Sequence, residues 1–206
     1  MRVAFVAEVT AQSESTGATR RLRRTAESLA GRGHDAVVLC SQWWDGDHDA
    51  FEQDGVTYRA VTTEPPGKGP SRRFAMGVPG ALRRAGPDVV HAAAVPTHVL
   101  AAKTGGALAR APLVVDWYDA PRAETAGTNA RSLRMAARAA DEILVPSETV
   151  RTRVRELGAS GDDVRVVPNG IDVDVVREAR VVEGADVVYS RRLDEDANLE
   201  SLLEQL

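Results

Sequence analysis

"ADEILVPSETVRTRVRELGASGDDVRVVPNGID", residues 140–172, decides the fold. Its first apolar run, "EILVP" (142–146), reads as a short buried strand. Ser147 then stands as a helix N-cap, Val150, Val154 and Leu157 recur at i, i+4 and i+7, and Gly158 supplies a C-cap. A second apolar run, "VRVVP" (164–168), closes the unit. Strand, helix, strand at this spacing is a βαβ unit, whose strands run parallel because the helix carries the chain back along the sheet.

The same alternation extends towards the N-terminus. Further strands are expected at "RVAFVA" (2–7), "AVVLC" (36–40), "VTYRAV" (56–61), "DVVHA" (88–92) and "LVVDWY" (113–118). Between the first two, Leu22, Ala26 and Leu29 form one apolar helix stripe that ends at "GRGH" (31–34). The stretch 98–110 is apolar nearly all round and holds Gly105 and Gly106, so it reads as a buried helix packed closely on the sheet. Residues 42–54 and 62–71 read as loops, being rich in Gly with acidic residues and Trp or with Pro. The expected fold is α/β: a Rossmann-like, mostly parallel sheet of about seven strands with helices on both faces.

Composition supports a folded chain and narrows its partners. The 206 residues are 43% hydrophobic but 4% aromatic, enough for a core of Val, Ala and Leu. A net charge of -4 speaks against nucleic acid, whose binders carry a concentrated basic excess. Arg20, Arg21, Arg23 and Arg24 line one helix; this reads as a solvated face, with peripheral contact to an anionic membrane as the other reading. The lone Cys40 excludes an internal disulfide, and no metal is expected because the four His lack ligand spacing. "MRVAFVAEVT" is too short an apolar start for a signal peptide, so a cytoplasmic location is expected.

In an open parallel sheet a ligand sits beyond the carboxyl ends of the strands. Residues there are Glu8 to Gly17, His91, Asp116 with Tyr118 and Asp119, Ser147, and Pro168 to Gly170. In "STGATRR" (15–21), Gly17 lets backbone approach a ligand, and the following helix start with Arg20 favours phosphate or sugar oxygens. His91 can exchange a hydrogen bond at neutral pH, and Asp116, Tyr118 and Asp119 suit hydroxyl recognition or carboxylate base chemistry. Asn169 and Gly170 form a sharp turn in which Gly170 is expected at positive φ. Structural roles remain open for each: helix start, satisfied histidine, cap, turn. His98 reads as the start of a helix, and His34 and His48 are assigned no role.

In this order and spacing, "STGATRRLRRTAESLAGRGHDAVVL" (15–39), "PDVVHA" (87–92), "LVVDWYDAP" (113–121), "ADEILVPSETVRTRVRELG" (140–158) and "VRVVPNGIDVD" (164–174) resemble the N-terminal half of a two-Rossmann-domain (GT-B) glycosyltransferase of the family 4 retaining type. The resemblance implies an acceptor-binding domain over residues 1–180. "VVYSRRLDEDANLESLLEQL" (187–206) looks like the first strand, turn and helix of the donor domain, so residues 181–206 are expected to be a linker and its truncated start. It further implies a nucleotide-sugar donor, no separate cofactor, and a sugar or lipid-linked acceptor. By the same resemblance, Gly17, Arg20, His91, Tyr118, Asp119, Asn169 and Gly170 line the acceptor side, with His91, Tyr118 and Asp119 the catalytic candidates, and Arg192 meets the donor diphosphate.

Three departures qualify the match. Tyr118 stands where many members have His, Ala197 and Asn198 where Lys-Gly is common, and the later acidic motif that holds the donor is absent. An acceptor half inactive alone is therefore the first expectation. The alternatives are a non-catalytic binding module or half of a split enzyme partnered by a separate donor-domain chain, and a Rossmann-type nucleotide-binding protein of another class. Against the last, the first loop lacks GxGxxG and no acid closes the strand at Cys40.

Overall fold

A computed structural model describes residues 1–65, 71–119, 128–171 and 173–178. In chain order the elements are β1 (Arg2–Val6), α1 (Gly17–Gly31), β2 (Asp35–Ser41), β3 (Ala50–Gln53), β4 (Val56–Thr62), α2 (Arg72–Ala85), β5 (Val89–Ala93), α3 (Pro96–Ala109), β6 (Leu113–Asp116), α4 (Thr128–Ala139), β7 (Glu142–Val145), α5 (Glu148–Glu156), β8 (Val164–Val166) and α6 (Val173–Glu178). The strands form one sheet in the order β3-β4-β2-β1-β5-β6-β7-β8. All seven expected strands are present and pair in parallel.

The sheet has an eighth strand that the sequence reading placed in a loop. β3 pairs antiparallel with β4, and the two are joined by Asp54 and Gly55, both at positive φ (53° and 73°). Two such residues in a two-residue connection give the turn twist that a tight hairpin needs. Trp43, Trp44, Phe51 and Tyr58 stack beside it: Trp43 meets Phe51 edge-on at 5.3 Å, and Phe51 stacks on Tyr58 at 5.4 Å. Aromatic packing thus holds a segment whose acidic and Gly content suggests a loop.

Two apolar layers sandwich the sheet. Leu22 and Ala26 of α1 pack with Phe5, Val38, Val56 and Tyr58, while Phe74, Val78 and Leu82 of α2 and Val99 and Ala102 of α3 pack with Ala4, Val6, Leu39 and Val90. Alternate residues of β1 and β2 go to opposite layers, the period-two rule of a strand buried on both sides. Helices α2 and α4 have no counterpart among the expected elements. Gly106 of α3 faces the sheet as expected, a Cβ there lying 3.6 Å from Val90 Cγ2, whereas Gly105 packs against α2, where a Cβ would lie 3.0 Å from Leu82 Cβ and from Pro79 Cα. Cys40 is fully buried, which pushes its thiol up to about 12 and leaves it a small hydrophobe, as the sequence suggests.

The chain divides into two compact units, Met1–Asn169 and Gly170–Leu206. In the second, the described residues include the short helix α6, with an Arg177–Asp174 ion pair. The expected boundary at residues 180–181, the unit 181–206 and Arg192 lie outside the described residues.

Candidate functional site

The chain runs from β1 outward through β2 to β4, then returns to β5 on the other side of β1. In open α/β sheets such a reversal is the place where loops beyond the carboxyl ends part and a ligand crevice forms. Strand parity then assigns side chains to its two sides. His91 lies with Phe5 on the α1 side, their rings 4.9 Å apart, whereas Glu8 lies on the α2 and α3 side.

On the α1 side, Thr16 caps the helix: its Oγ1 accepts from Thr19 N at 3.2 Å, and Thr19 Oγ1 accepts from Thr16 N at 2.9 Å. This fixes the first turn, from which Arg21 reaches across the sheet ends. Its Nε donates to both Asp116 carboxylate oxygens, at 2.8 and 3.1 Å, and its Nη1 donates to Asn169 Oδ1 at 2.8 Å. A guanidinium suits this work because its donors diverge in one plane. One side chain thereby ties α1 to the end of β6 and to the turn after β8.

His91 Nε2 is 4.0 Å from Asp116 Oδ2. The ring is buried, and neither nitrogen has a hydrogen-bond partner among the described residues. Burial pulls the imidazole below its ordinary value; Asp116 pulls it up and Arg21 down. Burial prevails, so the ring is neutral at pH 7, with one nitrogen to donate and one to accept. Both hydrogen-bonding functions of this buried imidazole are therefore unspent among the described residues.

Tyr118 lies over the start of α1. A Cβ on Gly17 would stand 2.6 Å from Tyr118 Cζ, so any larger residue there has to push the ring aside. Gly17 therefore makes room for a side chain, a reason the sequence reading did not consider beside ligand approach. Asp119 is exposed at the rim, and Ser147 caps α5 by accepting from Val150 N at 3.4 Å. Arg20 points to solvent, so the arginine in the cluster is Arg21. Gly170 is exposed in the second unit and is not among the positive-φ glycines, which corrects the expected turn.

The other side holds residues the sequence reading left without a role. Glu8, 5% exposed, accepts Ser71 N on its two oxygens at 3.0 and 3.3 Å, fastening the start of α2. Its Oε2 also lies 3.1 Å from His98 Nε2 in the first turn of α3, without the alignment of a hydrogen bond. His98 packs edge-on against Phe74 at 4.9 Å, and burial pushes it down to about 4. An acid directly after β1 was the available signal; its partners lie 63 and 90 residues away, beyond any local pattern. Among the described residues no group of three or more His, Cys, Asp or Glu is placed to hold a metal ion.

A family model described as "Glycosyl transferase 4-like domain" matches residues 16–170. Among solved structures, HepE of Anabaena in complex with UDP and glucose is similar over 85% of this chain and 46% of its own, at 23% identity and TM-score 0.64. Sucrose-phosphate synthase of Thermosynechococcus elongatus follows at 15% identity and TM-score 0.63, over 84% and 49%. UDP-GlcNAc 2-epimerase of Methanocaldococcus jannaschii is similar at 10% identity and TM-score 0.55, over 81% and 45%. The chain thus spans about half the length of these structures. No curated protein matches it.

Proposed function

The chain belongs to the glycosyl transferase 4-like family, with a Rossmann-like GT-B fold, and from that premise we propose that residues 1–169 form the acceptor-facing wall of a glycosyltransferase. The reaction is transfer of a sugar from a nucleotide-sugar donor to a sugar or lipid-linked acceptor, with retention of anomeric configuration. His91 carries this reading: a buried, neutral imidazole with both nitrogens unpartnered, at the switch point of the sheet. It exchanges hydrogen bonds with an acceptor hydroxyl. Tyr118 borders that hydroxyl from the α1 side, and Asp119 at the rim is the carboxylate free to take a proton.

Arg21 acts as scaffold in this scheme, because Asp116 and Asn169 hold its guanidinium. The donor is a uridine nucleotide sugar by analogy with HepE, solved with UDP and glucose. Positioning two reactants accounts for ~7–11 kcal/mol of a barrier. The wall therefore binds acceptor without turning it over unless a donor site, on this chain or on another polypeptide, faces it.

The similarity to an epimerase fold keeps a second reading: a nucleotide-sugar binder that transfers nothing. Backbone NMR of the chain titrated with a panel of glycans and with UDP-glucose separates the two. On the transferase reading, a glycan shifts Gly17, His91 and Tyr118 amides. Shifts at these residues with UDP-glucose alone, and none with any glycan, favour the second reading and overturn the first.

A further inference from the structure

Aromatic residues are few in this chain and unevenly placed. There are three Trp, three Tyr and three Phe, and Trp43, Trp44, Phe51 and Tyr58 all fall in the β3–β4 hairpin and the loop that leads into it. Tyr58 is buried, whereas Trp43, Trp44 and Phe51 each keep part of the ring in solvent. Trp43 meets Trp44 edge-on at 5.5 Å, Trp44 meets Phe51 at 4.8 Å, and exposed His48 extends the row, stacked beside Trp44 at 6.2 Å. A contiguous, half-exposed aromatic surface is a place where a ligand completes the burial.

The loop that carries the two Trp is held in one shape. Gln42 Nε2 donates to Trp44 O at 3.2 Å and to Gly46 O at 2.9 Å, Trp44 Nε1 donates to His48 O at 2.9 Å, and Gly46 supplies a positive φ of 98° at the bend. A surface fixed beforehand binds without the cost of ordering itself. The loop leaves the carboxyl end of β2, and its rings pack on the α1 side of the sheet, the side of His91 and Tyr118. Gln12 ties the loop between β1 and α1 to the hairpin, its Nε2 donating to Tyr58 Oη at 2.9 Å. From β5, which carries His91, to β4 is three strand spacings, about 14 Å.

We propose that Trp44, flanked by Trp43 and Phe51, forms an outer subsite that stacks a neutral sugar ring, so that the acceptor is an oligosaccharide reaching from His91 to the hairpin. This rests on the reading of residues 1–169 as an acceptor wall and adds to it the length and charge of the acceptor. A sugar ring has a face of C–H groups, which suits the negative face of an indole, and a rim of hydroxyls. Asp45, Asp47 and Asp49 are exposed in the same loop and are acceptors for that rim. Residues 42–54 hold no Lys or Arg, so the carboxylate of a uronic acid or the phosphates of a nucleotide would meet only like charge there.

The test is NMR of the full chain, following the Trp44 indole N–H and the Asp45, Asp47 and Asp49 amides. The probes are malto-, cello-, manno- and chito-oligosaccharides, from single sugars to pentasaccharides, and oligogalacturonates of the same lengths. One of the neutral series is expected to shift these signals together with His91, with affinity rising with length, and the oligogalacturonates to leave the hairpin signals unmoved. Trp44→Leu should weaken oligosaccharide binding about ten-fold. Because Trp44 also packs on Phe51, Asp45→Lys with Asp47→Lys, both at exposed positions, is the second variant. It should admit oligogalacturonate, with the unfolding midpoint unchanged. Shifts at Gly17, His91 and Tyr118 without any at Trp44 remove the subsite and leave the acceptor wall standing, whereas no shift at either set removes both. Equal binding of neutral and acidic oligomers also overturns the proposal. So do Trp44 signals that move with protein concentration in place of sugar, which would assign the hairpin to contact between copies of the chain.

Discussion

Arg21 and Asp116 meet across the carboxyl ends of the sheet, Nε to both carboxylate oxygens, with side chains 10% and 8% exposed. Removing the cation alone strands a buried carboxylate, which costs ~3–5 kcal/mol, whereas replacing both partners with apolar groups restores most of it. Arg21→Met should therefore destabilise strongly in urea unfolding, and Arg21→Met with Asp116→Leu much less. A single variant costing under ~1 kcal/mol would show that the pair is not buried as described.

Burial sets the protonation of His91 first, and the same pair adjusts it. Burial lowers its proton affinity, Asp116 raises it and Arg21 lowers it. Asp116→Asn should lower the His91 titration midpoint and Arg21→Met should raise it, both read from imidazole NMR shifts. Movement of both variants in one direction would remove Asp116 and Arg21 as the opposing charges.

His98 makes stability depend on pH. Its folded value of about 4 lies below the unfolded ~6.5, so the unfolded chain binds a proton across that interval that the folded chain does not. The His98 contribution is intact above pH 6.5 and is lost progressively as pH falls to about 4, by at most roughly 3 kcal/mol. His98→Asn should flatten the urea midpoint over that interval. An unaltered slope would place the pH dependence elsewhere.

Gly17 and Tyr118 form a testable contact. Gly17→Ala forces the ring aside, while in a Tyr118→Ala background the ring atoms that the new methyl would strike are gone. A double-mutant cycle in thermal unfolding should give a coupling of ~0.5–3 kcal/mol. Additive effects would mean that the ring does not cover Gly17.

What the sequence disclosed followed from local physics. The βαβ unit of residues 142–166 was legible because run length, helical spacing and Ser147 all agree. β3 was missed because acidic and Gly content outweighed the Asp54-Gly55 hairpin signal. Helix α2, with Phe74, Val78 and Leu82 at regular spacing, carries an internal Pro79 that breaks the usual pattern. Arg20 and Arg21 are neighbours on one helical turn, and only the orientation of α1 on the sheet decides that Arg21 faces Asp116. Glu8 showed itself only as an acid directly after β1, and its pairing with His98 of α3 had no local sign, since a buried pair 90 residues apart exists only once the sheet has formed.

Asn169 is the last residue of the first unit, and the bond from Arg21 pins the point where the polypeptide leaves it. That exit is anchored by a side chain rooted in the helix that borders the crevice. Anything that draws the guanidinium away slackens the departure of the chain, with faster amide exchange at Val167 and Asn169 as its trace.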